Sequence, residues 1–156
     1  MQNPNPFDPV FWATVGAAIA CGVIVGLERQ LRGKPVGVRT GCLICLSTAV
    51  FVRLGVTVAT PDTDPTRVLG QIVTGVGFLG AGVMLSRDGT VTGVTTASVI
   101  WSLAAIGSSI GFGYTTEAVM LSLVTVGILA GMEVIESRVR AMTTGVHRTI
   151  RSLKDK

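Results

Sequence analysis

Hydrophobic residues in this chain form long stretches that contain few charges and are separated by short polar connections; the second stretch has Arg39 at its start and Arg53 inside it. Five stretches approach the ~20 residues that an α-helix needs to cross a hydrocarbon core of about 30 Å. They cover approximately residues 10–28, 38–58, 67–86, 93–112 and 117–136. Membrane-spanning strands would alternate in polarity at every second residue, and we find no such pattern. The sequence therefore predicts an all-α integral membrane protein with five transmembrane helices.

Composition supports the same class. Apolar residues make up 48% of the 156 residues and charged residues 14%, whereas soluble domains have about 25% charged residues. These values exclude a water-soluble globular domain and a disordered chain. We predict a transmembrane domain over residues 1–136 and a basic amphipathic cytoplasmic tail over 137–156. The first helix follows a leader without positive charge, so we expect it to be retained rather than cleaved as a signal peptide.

The distribution of Lys and Arg predicts the orientation. Eleven of the 13 cations fall in the first connection, the third connection and the C-terminal tail, which lie on one side of the membrane if the helices alternate. The side with more Lys and Arg is normally cytoplasmic, so the N-terminus is predicted outside and the C-terminus inside. The net charge of +4 is then explained by this orientation, with the cations facing the lipid bilayer. We predict no nucleic-acid partner. The tail is interpreted as a helix on the anionic inner leaflet, with docking to a cytoplasmic partner as the alternative.

Glycines are frequent within the predicted spans. The run from Gly75 to Gly80 matches G-x-G-x-x-G, but it lies inside an apolar stretch, whereas a nucleotide fingerprint needs a preceding strand. We interpret the run, which continues to Gly82, as a helix-packing surface. The spacing G-x-x-x-G recurs in three other spans, and packing within the monomer is favoured there over a dimer interface. Those pairs are Gly22/Gly26, Gly107/Gly111 and Gly127/Gly131.

Residues typical of enzymes and metal sites are scarce. Cys42 and Cys45 form a C-x-x-C inside an apolar span, where a reactive thiolate is disfavoured, and Cys21 is likewise within a span. The chain has a single His, His147. Asp62 and Asp64 are interpreted as solvated, with a divalent-cation site as the weaker alternative. We therefore predict no enzymatic activity, no cofactor and no metal site.

Two groups of polar residues within the spans are candidates for function. Arg67, Gln71 and Thr74 share one face of the third helix because they are spaced by four and three residues. A second stripe on the fourth helix comprises Thr95, Ser98, Ser102 and Ser109. Polar groups in a bilayer face a bundle interior or a water-filled cavity. These stripes are interpreted either as interhelical hydrogen bonds or as two walls of a functional cavity.

Charged residues also gather at the predicted cytoplasmic ends of the helices. Unpaired charges at that depth are costly, so we expect an ion-pair cluster there. Its predicted members are Glu28, Arg29, Arg39, Glu133 and Glu136.

The same regions resemble the MgtC/SapB family of membrane proteins. The resemblance covers roughly residues 15–135 and includes five ordered motifs. They are Gly26-Leu27-Glu28-Arg29, Gly37-Val38-Arg39-Thr40, Asp64-Pro65-Thr66-Arg67, the glycine run from Gly75 to Gly82, and Gly93-Val94-Thr95-Thr96-Ala97 followed by Trp101.

The resemblance implies a bacterial inner-membrane, multi-pass protein linked to magnesium limitation and to intracellular survival, hence to virulence. It further implies restraint of the F-type ATP synthase through a membrane contact. Two departures qualify this expectation. Gln30 stands where many members have a second Glu, and the family's C-terminal ACT-like domain is not present in these 156 residues. We therefore expect either a short member or a truncated chain.

The leading hypothesis is a regulatory protein that binds an integral membrane partner such as an ATP synthase subunit. The alternative is an ion or small-solute transporter or channel that acts as a homodimer. The candidate functional residues under both hypotheses are Glu28, Arg29, Arg39, Thr40, Asp64, Arg67, Gln71, Thr74, Gly77, Gly80, Gly82, Thr95, Thr96, Ser98 and Trp101.

Overall fold

The structure is a computed structural model that describes residues 8–60, 64, 66–87, 90–132 and 135. Its helices are α1 (Pro9–Leu31), α2 (Val38–Val58), α3 (Thr66–Val83), α4 (Val94–Gly111) and α5 (Thr115–Met132). All five are long and apolar enough to cross a membrane, which confirms the predicted class. The predicted tail, 137–156, lies outside the described residues.

The connection between α3 and α4 differs from the prediction. Helix α3 ends at Val83 instead of continuing to residue 86, and β1 (Leu85–Arg87) pairs antiparallel with β2 (Thr90–Thr92). The sequence at this point contains Asp88-Gly89 followed by Thr-Val-Thr. Asp-Gly is a common hairpin-turn dipeptide, and β-branched residues favour strands. The apolar character of Met84 and Leu85 had extended the predicted helix too far.

Helix α1 begins with a capped turn that is also attached to α2. The Val10 N–H donates to Asp8 Oδ1 at 3.0 Å, and Pro9 occupies the first helical turn, where its missing N–H is not needed. The other carboxylate oxygen, Asp8 Oδ2, accepts from Arg53 Nη2 of α2 at 2.8 Å. One side chain therefore caps α1 and joins it to the end of α2.

The core lies between α1, α2 and α4, and α4 is the central helix. Fifty-six per cent of the α4 span is buried, against 11% for α3 and 11% for α5. The core is filled by small and branched apolar side chains, which include Cys21, Val25, Cys45, Leu103 and Ile106. Helix α3 packs on α4 through Val76, which contacts Ile100 and Ala104. Most of the α3 and α5 surface consequently faces outward.

Two of the three G-x-x-x-G pairs pack inside this chain, as predicted. A Cβ at Gly22 would lie 2.5 Å from Cys42 Cα, and one at Gly26 would lie 2.6 Å from Val38 Cα, so α1 and α2 are in backbone contact. On α4, Gly107 and Gly111 approach α2 equally closely.

The third G-x-x-x-G pair does not pack in this way. Gly127 and Gly131 of α5 have open space where a Cβ would be. The packing interpretation is therefore wrong for this pair among the described neighbours.

Candidate functional site at the charged helix ends

Arg29 connects three parts of the chain at the end of α1. Its side chain is almost fully buried, with the residue 5% exposed. The guanidinium Nε donates to the Pro35 carbonyl at 3.2 Å, and Nη2 donates to Thr96 Oγ1 at 3.1 Å. Arg29 thereby joins α1 to the following connection and to the first turn of α4. A planar guanidinium can serve both acceptors at once because its donors point in fixed, divergent directions.

Glu28 is paired with Arg32, which lies one helical turn later. Arg32 Nε lies 2.6 Å from Glu28 Oε1, and 9% of the Glu28 side chain is exposed. The second carboxylate oxygen, Oε2, is buried without a hydrogen-bond partner in the described part of the chain. Arg32 is missing from the sequence-based candidates, although the i, i+4 spacing from Glu to Arg on a helix is a recognisable signal.

The predicted ion-pair cluster is therefore only partly formed. Glu28 forms its ion pair with Arg32, which was not a predicted member, and Arg39 is exposed at the start of α2 without an ion pair to another described residue. Thr40, its neighbour, is exposed as well. Glu133 and Glu136 lie outside the described residues. The Arg29 guanidinium bonds to the buried hydroxyl of Thr96 in place of the carboxylate that was expected.

The start of α4 is shaped by Gly93. This residue precedes the helix with φ 89°, a conformation that L side chains rarely adopt. A Cβ there would also lie 3.0 Å from the Val83 carbonyl carbon. Gly93 consequently supplies no side-chain cap to α4. Two neighbouring threonines in the first turn of α4 differ in burial: Thr96 is buried in the bundle and Thr95 is exposed.

The glycine run lies inside α3, and one of its three candidate glycines packs. A Cβ at Gly80 would lie 3.6 Å from Ala97 Cβ and 3.8 Å from the Trp101 ring, which is ordinary contact with α4. Gly77 and Gly82 have no atom within 4 Å of that position. The packing interpretation therefore applies to Gly80 alone of these three.

The polar stripes of α3 and α4 do not face each other among the described residues of one chain, so that prediction is wrong. Arg67, Gln71 and Thr74 are all exposed on α3, because α3 turns Val76 and Gly80 towards α4 instead.

Hydroxyls of both stripes bond to their own helices. Thr74 Oγ1 donates to Gly70 O at 3.0 Å, and Ser98 Oγ donates to Val94 O at 3.0 Å. Ser102 and Ser109 likewise donate to carbonyls of α4. These side chains form neither the predicted interhelical bonds nor a closed polar cavity within the monomer.

Asp64 caps the start of α3. Its Oδ1 accepts from Thr66 Oγ1 at 2.7 Å and from the Thr66 N–H at 2.8 Å. The Thr66 hydroxyl first, and then the Thr66 N–H, hold the pKa of the exposed Asp64 carboxyl below its ordinary value. Hydrogen bonds to the charged form lower a carboxyl pKa in this way. These bonds give Asp64 a capping role; Asp62, the other carboxylate of the predicted weaker cation site, lies outside the described residues.

Replacing Thr66 with valine is expected to raise the Asp64 pKa towards its ordinary value, because the hydroxyl donor is lost while the backbone donor stays. In the parent protein the depressed pKa stabilises the fold above the unfolded-state pKa of about 3.9. That stabilisation is lost as the pH falls through the folded-state pKa. A carbon-13 NMR titration of the Asp64 carboxyl measures the change. Thr57→Val is the control, since Thr57 donates to Arg53 O; equal titration curves for Thr66→Val and the parent would contradict the cap.

Comparisons with known proteins agree with the sequence resemblance. The model of the MgtC family matches residues 15–138. The putative magnesium transporter YhiD of Escherichia coli strain K12 is 43% identical over 120 residues, which cover 72% of this chain and 55% of that protein. Protein MgtC of Brucella abortus strain 2308 is 36% identical over 118 residues, covering 76% of this chain and 49% of that protein.

An uncharacterized protein of Haemophilus influenzae is 36% identical over 128 residues, covering 76% of this chain and 54% of that protein. The chain spans about half the length of these curated relatives. No solved structure matches it. With five membrane-length helices and a family match that includes Glu28, Arg29 and Thr96, this chain belongs to the MgtC family.

Proposed function

We propose that this protein is a non-enzymatic regulator in the bacterial inner membrane and acts by binding an integral membrane partner. The observation that carries the proposal is the unpartnered face of α3. Of the 18 residues of this helix, Val76 and Gly80 are buried, while Arg67, Gln71 and Thr74 are exposed. The exposed Gln71 amide, one turn further into this membrane-length helix than Arg67, is costly in lipid and gains a partner when a second helix covers it.

The same side of α3 carries a stripe of small residues, bordered by Phe78, which is 80% exposed. Gly70, Thr74 and Gly77 follow each other at spacings of four and three residues, so they lie on one side of α3. Neither glycine has any atom within 4 Å of a Cβ position. Small residues let backbones approach closely in a bilayer, where van der Waals packing replaces the hydrophobic driving force. A partner helix can therefore approach this stripe closely, with Phe78 and Gln71 at the edge of the contact.

The interior of the described bundle favours binding over transport by a single chain. The space between α1, α2 and α4 is occupied by apolar side chains such as Cys21, Cys45 and Leu103, each fully buried. The buried Cys45 thiol itself donates to the Leu103 carbonyl at 3.3 Å. A solute route through this core would require the central helices to separate.

The family resemblance and the charge distribution support the proposed partner and orientation. The resemblance supports an F-type ATP synthase as the partner, in the setting of magnesium limitation and intracellular survival. The excess of Lys and Arg in the first and third connections supports an outside N-terminus and a cytoplasmic C-terminus. In this orientation the end of α1 that carries Glu28 and Arg29 lies on the cytoplasmic side of the membrane.

Everted membrane vesicles test this function. Purified protein is added, and ATP-driven proton pumping is followed with a pH-sensitive dye. The wild type is expected to reduce pumping, and Gly77→Leu on the exposed α3 face is expected to remove the effect. Gly127→Leu is the matched control, because it fills equally open space on α5. Unchanged pumping with the wild type excludes the ATP synthase, and full activity of Gly77→Leu excludes the α3 face.

A second candidate function is an ion or small-solute transporter that works as a homodimer. The exposed polar stripe favours it, since two copies of α3 would bring two sets of Arg67, Gln71 and Thr74 together. The printed name of the E. coli relative, a putative magnesium transporter, points in the same direction. Proteoliposomes containing the wild type, Gln71→Leu or Arg67→Ala are assayed for magnesium flux. Absence of flux with the wild type excludes this candidate.

A further inference from the structure

A cavity of about 390 Å³ opens where the ends of α1, α4 and α5 meet. Its polar wall contains three cations, Arg29, Arg32 and Lys34, and one carboxylate, Glu28. The facing wall is contributed by α5 and is apolar, with Ile128, Leu129 and Met132. The cavity therefore combines a surplus of positive charge with a hydrophobic surface on a membrane-length helix.

Two of the polar groups are free to bind a ligand. Lys34 is exposed and forms no ion pair with any other residue that the structure describes. Thr95 is also exposed and lines the cavity; no bond joins its hydroxyl to another described residue. Arg29, in contrast, already uses Nε and Nη2 for Pro35 and Thr96. Arg32 neutralises Glu28 at 2.6 Å, so the carboxylate does not cancel the charge of Lys34.

The start of α4 adds to the positive potential. Thr95 belongs to the first turn of this helix, whose N–H groups have no partner within the helix. Gly93 offers them no side-chain cap. The N-terminus of a helix carries a partial positive charge and favours anions. Together with Lys34, it makes the polar wall complementary to a phosphate group.

The geometry points to a binding site for an anionic phospholipid in this cavity. Its phosphate would contact Lys34 and Thr95, and one acyl chain would lie along Ile128 and Met132 of α5. A lipid fits better than a free anion because these two apolar residues are 60% and 50% exposed beside the charged wall. Basic pockets between helices at a membrane face have this combination of features.

The test uses the full chain in detergent, titrated with dioctanoyl phosphatidylglycerol and followed by native mass spectrometry. Phosphatidylglycerol is expected to bind more tightly than the matching phosphatidylcholine. Lys34→Gln is expected to weaken its binding about fivefold, since one cation near a membrane surface contributes about 1 kcal/mol. Ile128→Ser is expected to weaken it as well, because the acyl contact is reduced.

Arg39→Gln is the matched control. Arg39 is an exposed cation at the start of α2, close to Lys34 in sequence but not in the wall of the cavity. Binding that falls equally in Arg39→Gln and Lys34→Gln would indicate general charge attraction and overturn the site. Equal binding of the two lipids would also overturn it. Effective competition by inorganic phosphate, or an unchanged affinity in Ile128→Ser, would overturn the lipid as the ligand. Circular dichroism confirms that each variant is folded.

Discussion

Replacing Arg29 with alanine is expected to lower the free energy of unfolding by more than about 2 kcal/mol. Hydrogen bonds that involve a charged group contribute about 1.5–3 kcal/mol each, and the Arg29 guanidinium makes two of them inside the bundle. The substitution also leaves the Pro35 carbonyl and the buried Thr96 hydroxyl without this donor. The measurement is the unfolding of the purified protein in detergent, by heat and by increasing sodium dodecyl sulfate.

Two further variants test the reason for this loss. Arg29→Lys keeps the charge but presents a single ammonium group in place of a fork, so it is expected to recover little of the stability. Arg39→Ala removes an exposed cation from the same end of the bundle and is expected to have an effect within about 0.5 kcal/mol. Equal stability of Arg29→Ala and Arg39→Ala would show that the contacts of Arg29 do not hold α1 and α4 together.

Replacing Gly107 with alanine is expected to destabilise the protein by about 1–3 kcal/mol, the usual cost of overfilling a packed core. The added Cβ would lie 2.5 Å from the Cys45 carbonyl oxygen and 2.9 Å from Cys45 Cα, and it would also overlap Thr48 Oγ1. Backbone atoms of α2 cannot move aside as a flexible side chain can, so α2 and α4 must separate. Alanine is otherwise the better helix former by about 1 kcal/mol, and the steric cost outweighs that gain.

Gly127→Ala provides the comparison for this prediction. No atom lies within 4 Å of its Cβ position, so its thermal stability is expected to stay the same or rise slightly. Gly22→Ala, whose Cβ would meet the α2 backbone at 2.5 Å, should behave like Gly107→Ala. The backbone contact would be refuted if Gly107→Ala unfolded at the temperature of the parent protein in the same detergent.

The helices could be predicted from the sequence because the bilayer imposes a strict requirement. Every backbone N–H and C=O in the hydrocarbon must be bonded within the chain, so a long apolar stretch becomes a helix. The bounds of α2 illustrate this, since residues 38–58 were expected and Val38–Val58 is observed. The paired strands β1 and β2 after Val83 were missed, because Met84 and Leu85 are as apolar as the helix before them.

The side chains of the candidate site were predicted less completely. Glu28 and Arg29 were identified because charges at a helix end need partners, but the partner of Glu28 is Arg32 and those of Arg29 are Pro35 and Thr96. Arg32 was missed even though its spacing from Glu28 is local and readable. Thr96 was a candidate residue, but it lies 67 positions after Arg29 in the chain. Their hydrogen bond depends on how α1 packs against α4, which the sequence pattern does not reveal.

The sequence by itself determined the five membrane-length helices, the glycines within them and the charges near their ends. Which glycines pack, such as Gly22 and Gly107, and which do not, such as Gly77 and Gly127, was decided by the tertiary structure. Tertiary structure alone decided which face of each helix is inside. In a water-soluble protein the inner face of a helix is recognised because it is the apolar one. In a membrane protein the face towards lipid and the face towards the core are both apolar, so the sequence does not distinguish them. The face of α3 that contacts α4 was therefore set by steric fit, and it contains Val76 and Gly80. Arg67, Gln71 and Thr74 are exposed as a result.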